Sequence, residues 1–438
     1  MFKKWLHKVW VFAADTFWLV PGAMVLAAIL GAIGSIELDR SGLLPQSLLQ
    51  GTWLYNGGGT GARTLLGTVA ASTIGVAGTV FSITIAALSL AAGQMGPRLL
   101  RNFTQDRGNQ VTLGAFLGTF SFSLMVLRSV RTQEEGVFVP HLSLSVSILM
   151  AFICVGMLVY FVGHMASRIN VDTVVSLVSD DVRASIMRLT THKEQSAAPP
   201  DNFWAAAQPV PDKRRGYLEH LDAQALADWA AKHQRSIKLL VREGDYVFPG
   251  APIALIQPAV DDITDVSEAI HSATGLRRAR TSSDDLEYSI RQLVEVAVRA
   301  LSPGINDPHT AISVLDRLGA SLCDVAGRNL TTGAWLQDGK TCLVVPSVSY
   351  DGLTDAMFHM IRQNAAGSTA VLIRMLDVLT AVASCEWQAD RCATLARHAK
   401  LVVEDARRSI GNRADLHDVL ERYACFDAVR RGQLASQQ

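Results

Sequence analysis

Three groups of side chains in this 438-residue sequence are of types and spacings that could do chemistry. The first would bind an anion. Arg277, Arg278 and Arg280 stand just ahead of Ser282 and Asp285, whose three-residue spacing forms a capping box that opens a helix. Guanidinium groups beside a helix N-terminus can gather a phosphate or another small anion. The same arginines could instead pair with Asp284, Asp285 and Glu287 on a wet surface, where such pairs are common and weak.

The second group is Asn306, Asp307 and His309 in the phrase SPGINDPHTA. Asp307 reads as an N-cap and Pro308 as the first helical residue, so corner geometry accounts for the pattern. The remaining reading has these three residues facing a ligand or a partner subunit.

The third group is a stripe. Thr68, Ser72, Gly75, Thr79, Ser82, Ala86, Ser89, Gly93 and Gly96 recur at alternating steps of four and three. That rhythm places them along one edge of a helix. Val69, Ile74, Val76, Val80, Ile83, Ile85 and Leu88 occupy its other faces. Hydroxyls in hydrocarbon are unfavourable without a partner or water, so the stripe is expected to face protein or a pore. It serves either as a close helix-packing seam or as the wall of an aqueous pathway. The two are compatible, because a pore helix must also pack against its copies.

Other patterns point away from chemistry. Asn56 to Thr64 superficially resembles a phosphate cradle, but it lacks the Gly-Lys-Ser/Thr ending and reads as a turn. The six cysteines, Cys154, Cys323, Cys342, Cys385, Cys392 and Cys425, form no CxxC pair and no zinc spacing. No Ser–His–Asp order, HExxH or GxSxG falls in a suitable context, so no catalytic residue, cofactor or metal is expected.

The elements that carry these residues follow from composition. The chain is 49% hydrophobic and only 18% charged, with a mean hydropathy of +0.22. Its 40 basic and 40 acidic residues cancel, which argues against a nucleic-acid partner. A helix needs about 20 apolar residues to cross a bilayer. Four stretches approach or exceed that: about 18–36, 65–92, 111–127 and 142–162. The first is too long for a signal peptide and is expected to be a signal anchor. Ion-coupled carriers usually hold ionisable residues at mid-membrane depth. Here His141 and His164 lie only at the ends of the fourth span, and a secondary transporter is disfavoured.

Lys3, Lys4 and Lys8, with Arg98, Arg101 and Arg107, belong inside under the positive-inside rule. Both termini are therefore expected on the cytoplasmic side of a bacterial inner membrane. Arg128 and Arg131, offset by Glu134 and Glu135, go outside.

Beyond the spans, an apolar rhythm through 164–193 predicts a helix continuing from the last span, and the Pro-rich 194–215 stretch reads as a linker. Residues 216–260 predict a small α+β unit, with turns at Arg242–Asp245 and Pro249–Gly250. Its phrase VREGDYVFPGAPIALI is similar to biotinyl and lipoyl-type barrel-sandwich domains, without the lysine-bearing hairpin that would carry a cofactor. Residues 261–438 predict a mainly helical domain in which Cys385 and Cys392 share a helix face. The fold class is thus a four-helix membrane bundle with a mixed α+β, mainly helical cytoplasmic region.

Three segments carry a whole-chain resemblance: VFSITIAALSLAAGQMGPRLLRNFTQDRGNQVTLGAFLGTFSFSLMVLRSVR, REGDYVFPG and RALSPGINDPHTA. With them the chain resembles the bacterial membrane family called domain of unknown function 2254. The resemblance implies four spans and a large part outside the bilayer; it implies no activity, cofactor or catalytic residue. Two functions are carried forward. One is a homo-oligomeric, channel-like protein whose second span forms the seam or pore wall, with a cytoplasmic region for assembly and gating. The other is a membrane-anchored sensor or scaffold whose cytoplasmic region binds a small anion or a partner protein. An enzyme is not expected.

Overall fold

The computed structural model describes residues 17–41, 58–95, 106–131, 138–192, 198–278, 280 and 286–435. Outside these lie Lys3, Lys4, Lys8, Asn56, Gly57, Gly96, Arg98, Arg101, Glu134, Glu135, Glu194 to Ala197, and the capping box of Ser282 and Asp285. The chain divides into two compact units, Met1–Thr173 and Val174–Gln438.

The first unit contains α1 (Leu19–Ser41), α2 (Gly59–Met95), α3 (Arg107–Ser129) and α4 (His141–Ile169). All four are long and apolar enough to cross a membrane. At 1.5 Å per residue, the 23 residues of α1 or α3 reach roughly 34 Å, enough for a hydrocarbon core of about 30 Å. The 37 residues of α2 exceed that length.

The third span is the hub. Of its apolar window 56% is buried, against 17% to 22% for the other three. Glycines explain how α1 comes so close to it. A Cβ built on Gly114 would lie 2.5 Å from Met24 Sδ and 3.2 Å from Pro21 Cα, and one on Gly118 would meet Ala28 Cβ at 3.5 Å. This is the small-xxx-small spacing that lets membrane helices approach. Toward α4, the Ser123 and Ser147 hydroxyls share a hydrogen bond of 2.7 Å, and Thr119 Oγ1 lies 3.2 Å from Cys154 Sγ. These polar groups are tolerated because they find partners inside the protein. Apolar clusters around Leu66, Phe122 and Leu144, and around Val80, Phe116 and Phe161, fill the two halves of the bundle. Leu30, Phe152, Val155 and Val159 point outward, as lipid-facing residues must.

Among the described residues of the first unit, carboxylates stand only at or near helix ends. Asp39, near the end of α1, caps α4 by accepting the Leu142 and Ser143 backbone N–H groups at 3.0 Å each, and the Ser143 hydroxyl at 2.6 Å. Asp106 caps α3 by accepting the Gly108 N–H at 2.8 Å.

The helical rhythm expected to run on from the fourth span is interrupted. Asn170 is extended at φ −69° and ψ 119°, and its side chain accepts the Asp172 N–H at 2.9 Å. An asparagine favours such a cap over continued helix. A separate α5 (Val171–Leu189) follows, burying Val174, Val175, Val178, Val182 and Ile186.

In the second unit the chain continues through β1 (Thr190–Thr191), β2 (Gln208–Pro211), β3 (Gly216–Leu221), α6 (Ala223–Lys232), β4 (Ser236–Leu239), β5 (Tyr246–Val247) and β6 (Pro252–Gln257). After these come α7 (Thr264–Ala273), β7 (Thr274–Arg277), α8 (Leu286–Ala300), α9 (Pro308–Cys323), β8 (Asn329–Leu330), β9 (Ala334–Gln337) and β10 (Lys340–Val344). Four helices close it: α10 (Tyr350–Asn364), α11 (Thr369–Cys385), α12 (Ala389–Ser409) and α13 (Arg413–Ala435).

The expected turns form where their residues require. Gly244 has φ +93° in the turn closed by the Asp245 N–H on Arg242 O at 3.0 Å, and Gly250 has φ +88° after Pro249. The small α+β stretch is part of a larger assembly. A five-stranded sheet runs β2-β6-β4-β10-β9, with β10 parallel to β4 and the other pairs antiparallel. Its core gathers Val210, Leu226, Ile237, Leu239, Ile256, Ile270 and Leu343. A three-stranded sheet runs β5-β3-β7, and β1 pairs with β8. Helices α9 to α12 bury Leu315, Leu318, Met357, Leu372, Leu376, Leu379, Leu395 and Val402.

Candidate functional site

The stripe on α2 depends on which face of that helix the bundle uses. Inside the unit, α2 buries Ala62, Leu66, Ala70, Thr73, Ala77, Val80 and Ala87. Thr68, Ser72, Gly75, Thr79, Ser82, Ala86, Ser89 and Gly93 are exposed without exception. The small-residue edge is therefore not the surface by which α2 packs on its own chain. That role falls to an alanine-rich face one-third of a turn or more away.

The hydroxyls of the edge bond back to their own helix. Thr68 Oγ1 donates to Thr64 O at 2.8 Å, Thr79 Oγ1 to Gly75 O at 3.2 Å and Ser82 Oγ to Gly78 O at 2.9 Å. Such i−4 bonds lower the cost of a hydroxyl in an apolar setting and leave the acceptor lone pairs facing outward. A Cβ added at Gly75, Gly78 or Gly93 would meet nothing within 4 Å. Ile74, Phe81, Ile83 and Ile85 of the same helix are exposed as well.

The arginine group is partly committed. Arg277 ends β7 and pairs through Nε with Glu219 Oε2 on β3 at 2.6 Å. Arg278 is exposed and Arg280 half-buried. The pair commits Arg277 to Glu219, a partner outside the Asp284, Asp285 and Glu287 set named from the sequence.

Asn306, Asp307 and His309 form a helix corner. Asn306 adopts φ +50°, a left-handed conformation that asparagine tolerates. Asp307 caps α9 by accepting the His309 N–H at 3.1 Å, the Thr310 N–H at 3.2 Å and the Thr310 hydroxyl at 2.6 Å. The Thr310 hydroxyl holds the Asp307 carboxyl below its ordinary range. Asn306 and His309 are exposed.

One grouping was not singled out from the sequence. Asp355 and His359 lie four residues apart on α10, and His398 on α12 meets them. Their ligating atoms all fall within 4.8 Å of one another. Burial pushes the His398 imidazole down to about 4, and the Arg397 charge adds to the effect, so the ring is neutral near pH 7. The Asp355/His359 spacing was visible as an i, i+4 pair, but His398 lies far along the chain and only the packing of α12 on α10 brings it in.

Comparison with known proteins places the whole chain. The family model described as "Predicted membrane protein (DUF2254)" matches residues 14–381. An uncharacterized protein of Mycobacterium tuberculosis (strain CDC 1551 / Oshkosh) is 30% identical over 422 residues, covering 92% of this chain and 78% of that protein. Uncharacterized proteins of Mycobacterium bovis and of Mycobacterium tuberculosis strain H37Rv match with the same identity and coverage. No solved structure matches.

Proposed function

Because this chain belongs to DUF2254, a family of predicted membrane proteins, we propose that it acts in the bilayer as a homo-oligomeric, channel-like protein. In this reading α2 meets α2 of neighbouring copies along the edge from Thr68 to Gly93, and that contact forms or flanks a pathway on the symmetry axis. The bilayer is the bacterial inner membrane, with both termini and the second unit on the cytoplasmic side.

The observation that carries the reading is the outward orientation of the edge. A lipid-facing helix has no need of glycine and hydroxyl at every three to four residues, and it forfeits packing there. A second copy of the same helix fits such an edge, because small residues let backbones approach and hydroxyls gain partners. Cyclic symmetry is the ordinary way identical subunits satisfy a repeated self-contact. Four spans offer little room for a pathway inside one chain, which is why conduction requires the assembly.

Mass photometry of the detergent-purified chain, followed by flux from liposomes loaded with a small ionic dye, tests the reading. A ring of three or more copies with flux that is lost on Thr79→Leu supports it. A monomer, or a ring with no flux under voltage or osmotic tension, contradicts it.

A second reading, a membrane-anchored sensor, is favoured by the Asp355, His359 and His398 grouping in the second unit.

A further inference from the structure

We propose that Asp355, His359 and His398 form a binding site for a divalent transition-metal ion of the zinc type. Residues four apart on a helix project from the same face, so α10 presents the Asp355 carboxylate and the His359 imidazole side by side. Helix α12 lies against that face, held by the Arg362–Asp405 ion pair and by the Thr394 hydroxyl donating to Asp351 at 2.9 Å. His398 is thereby placed opposite the pair.

The distances suit a shared ion. His359 Nε2 lies 2.9 Å and His398 Nε2 3.0 Å from the same oxygen, Asp355 Oδ1. Metal bonds of about 2.0–2.1 Å in a tetrahedral set leave ligand atoms separated by about 3.3 Å. Each imidazole nitrogen therefore needs to move only a few tenths of an ångström from Asp355 Oδ1 to reach that spacing. Two imidazole nitrogens and one carboxylate suit zinc and its neighbours, not magnesium or calcium, which prefer all-oxygen shells.

The decisive feature is His398. It is fully buried at 0% exposure, yet neither its Nδ1 nor its Nε2 has a hydrogen-bond partner. Its Nε2 is near Asp355 Oδ1 but is not aligned for a hydrogen bond. A buried polar ring with both nitrogens unsatisfied is unfavourable and calls for a ligand. His359 Nδ1 is likewise unsatisfied. The Phe358 ring, 5.7 Å from His398 between centroids, closes the apolar side. Asp355 and His359 retain about a third of their side-chain exposure, at 35% and 31%, leaving a side open for entry and for a fourth ligand such as water.

Arg397 bears on the charge balance. Its Nη2 contacts Asp355 Oδ1 at 2.6 Å and Asp351 Oδ1 at 2.9 Å. Counting carboxylates and guanidinium alone, Asp351 and Asp355 exceed Arg397 by a single negative charge, so the local field favours a cation. Arg397 can hold to Asp351 while Asp355 turns to the ion. The site is independent of whether the membrane helices conduct.

The test uses the tag-free full-length chain in detergent, stripped with chelator and dialysed, then titrated with zinc chloride by calorimetry. Bound zinc is counted by mass spectrometry after gel filtration. About one zinc per chain is expected, with Co2+ substituting and giving the intense visible bands of a four-coordinate site. His359→Gln and His398→Ala should each weaken binding at least tenfold, on the scale known for disrupted metal sites. His359 keeps about a third of its exposure, so its variant guards against a folding artefact at the fully buried His398. Lys400→Ala, on the exposed side of α12, should bind as the parent does. No bound zinc or cobalt in the parent chain, or parental binding in both histidine variants, would overturn the proposal.

Discussion

His164 Nε2 lies 2.9 Å from both carboxylate oxygens of Asp106, the residue that caps α3. This couples the C-terminal part of α4 to the N-terminus of α3. At the other end of α4, Asp39 performs the matching task from α1. Between these carboxylates, hydroxyls and a thiol pair inside the bundle, among them Thr119, Ser123, Ser147 and Cys154. Carboxylates at helix ends suit a bilayer, where charge at mid-depth is costly.

The Asp106 pair should matter to bundle stability. Asp106→Ala removes a helix cap and leaves His164 without its acceptor, a loss of about 1–2 kcal/mol. His164→Ala keeps the cap and should cost less. Thermal unfolding of the purified chain in detergent is expected to rank Asp106→Ala below His164→Ala, and both below the parent.

Close approach of α1 to α3 rests on Gly114. A valine there would drive its Cβ into Met24 Sδ and Pro21 Cα. Overpacking of this kind typically costs about 1–3 kcal/mol. Gly114→Val should lower the unfolding temperature by several degrees. Gly75→Val, at an exposed position with open space above it, should leave the unfolding of the lone chain nearly unchanged.

The α9 corner predicts a pH dependence. The Thr310 hydroxyl, followed by the backbone N–H groups, keeps Asp307 below its ordinary range despite a partly opposing burial. A carboxyl depressed on folding contributes stability that is fully present above its unfolded value, about 3.9, and is lost as pH falls through its folded value. Asp307→Ala should therefore be less stable than the parent at pH 7 by about 1 kcal/mol, in the usual range for a lost cap. The gap should shrink as pH is lowered from 5 toward 2. An equal gap at both ends, read by thermal unfolding, would show that the ionised cap is not the cause.

Features set by neighbours in the chain were legible beforehand. Twenty apolar residues demand a span, Asp307 before Pro308 demands a helix start, and Gly244 and Gly250 demand turns; each appears where its residues stand. Features set by distant partners were hidden. Nothing near Ile237 announces that β10 will lie parallel beside β4. The shortest span gave no sign of being the hub, because Gly114 and Gly118 reveal their use only when α1 is in place. The Thr68 stripe was visible from its rhythm, but a rhythm states only that residues share a face. That this face points away from α3 and α4 follows from Leu66, Ala70 and Ala77 packing the opposite way.

Assembly through α2 requires that a second copy cover the Thr68–Gly93 edge. Single cysteines at Ser72 and Thr79 on the edge, and at Ile74 and Ile85 off it, can be placed in a background whose six native cysteines are replaced by alanine. Oxidative cross-linking in native membranes then reads the contact without detergent. The account predicts dimers cross-linked at Ser72→Cys and Thr79→Cys and none at Ile74→Cys or Ile85→Cys. Uniform absence of cross-links, or cross-linking confined to the isoleucine positions, would contradict it.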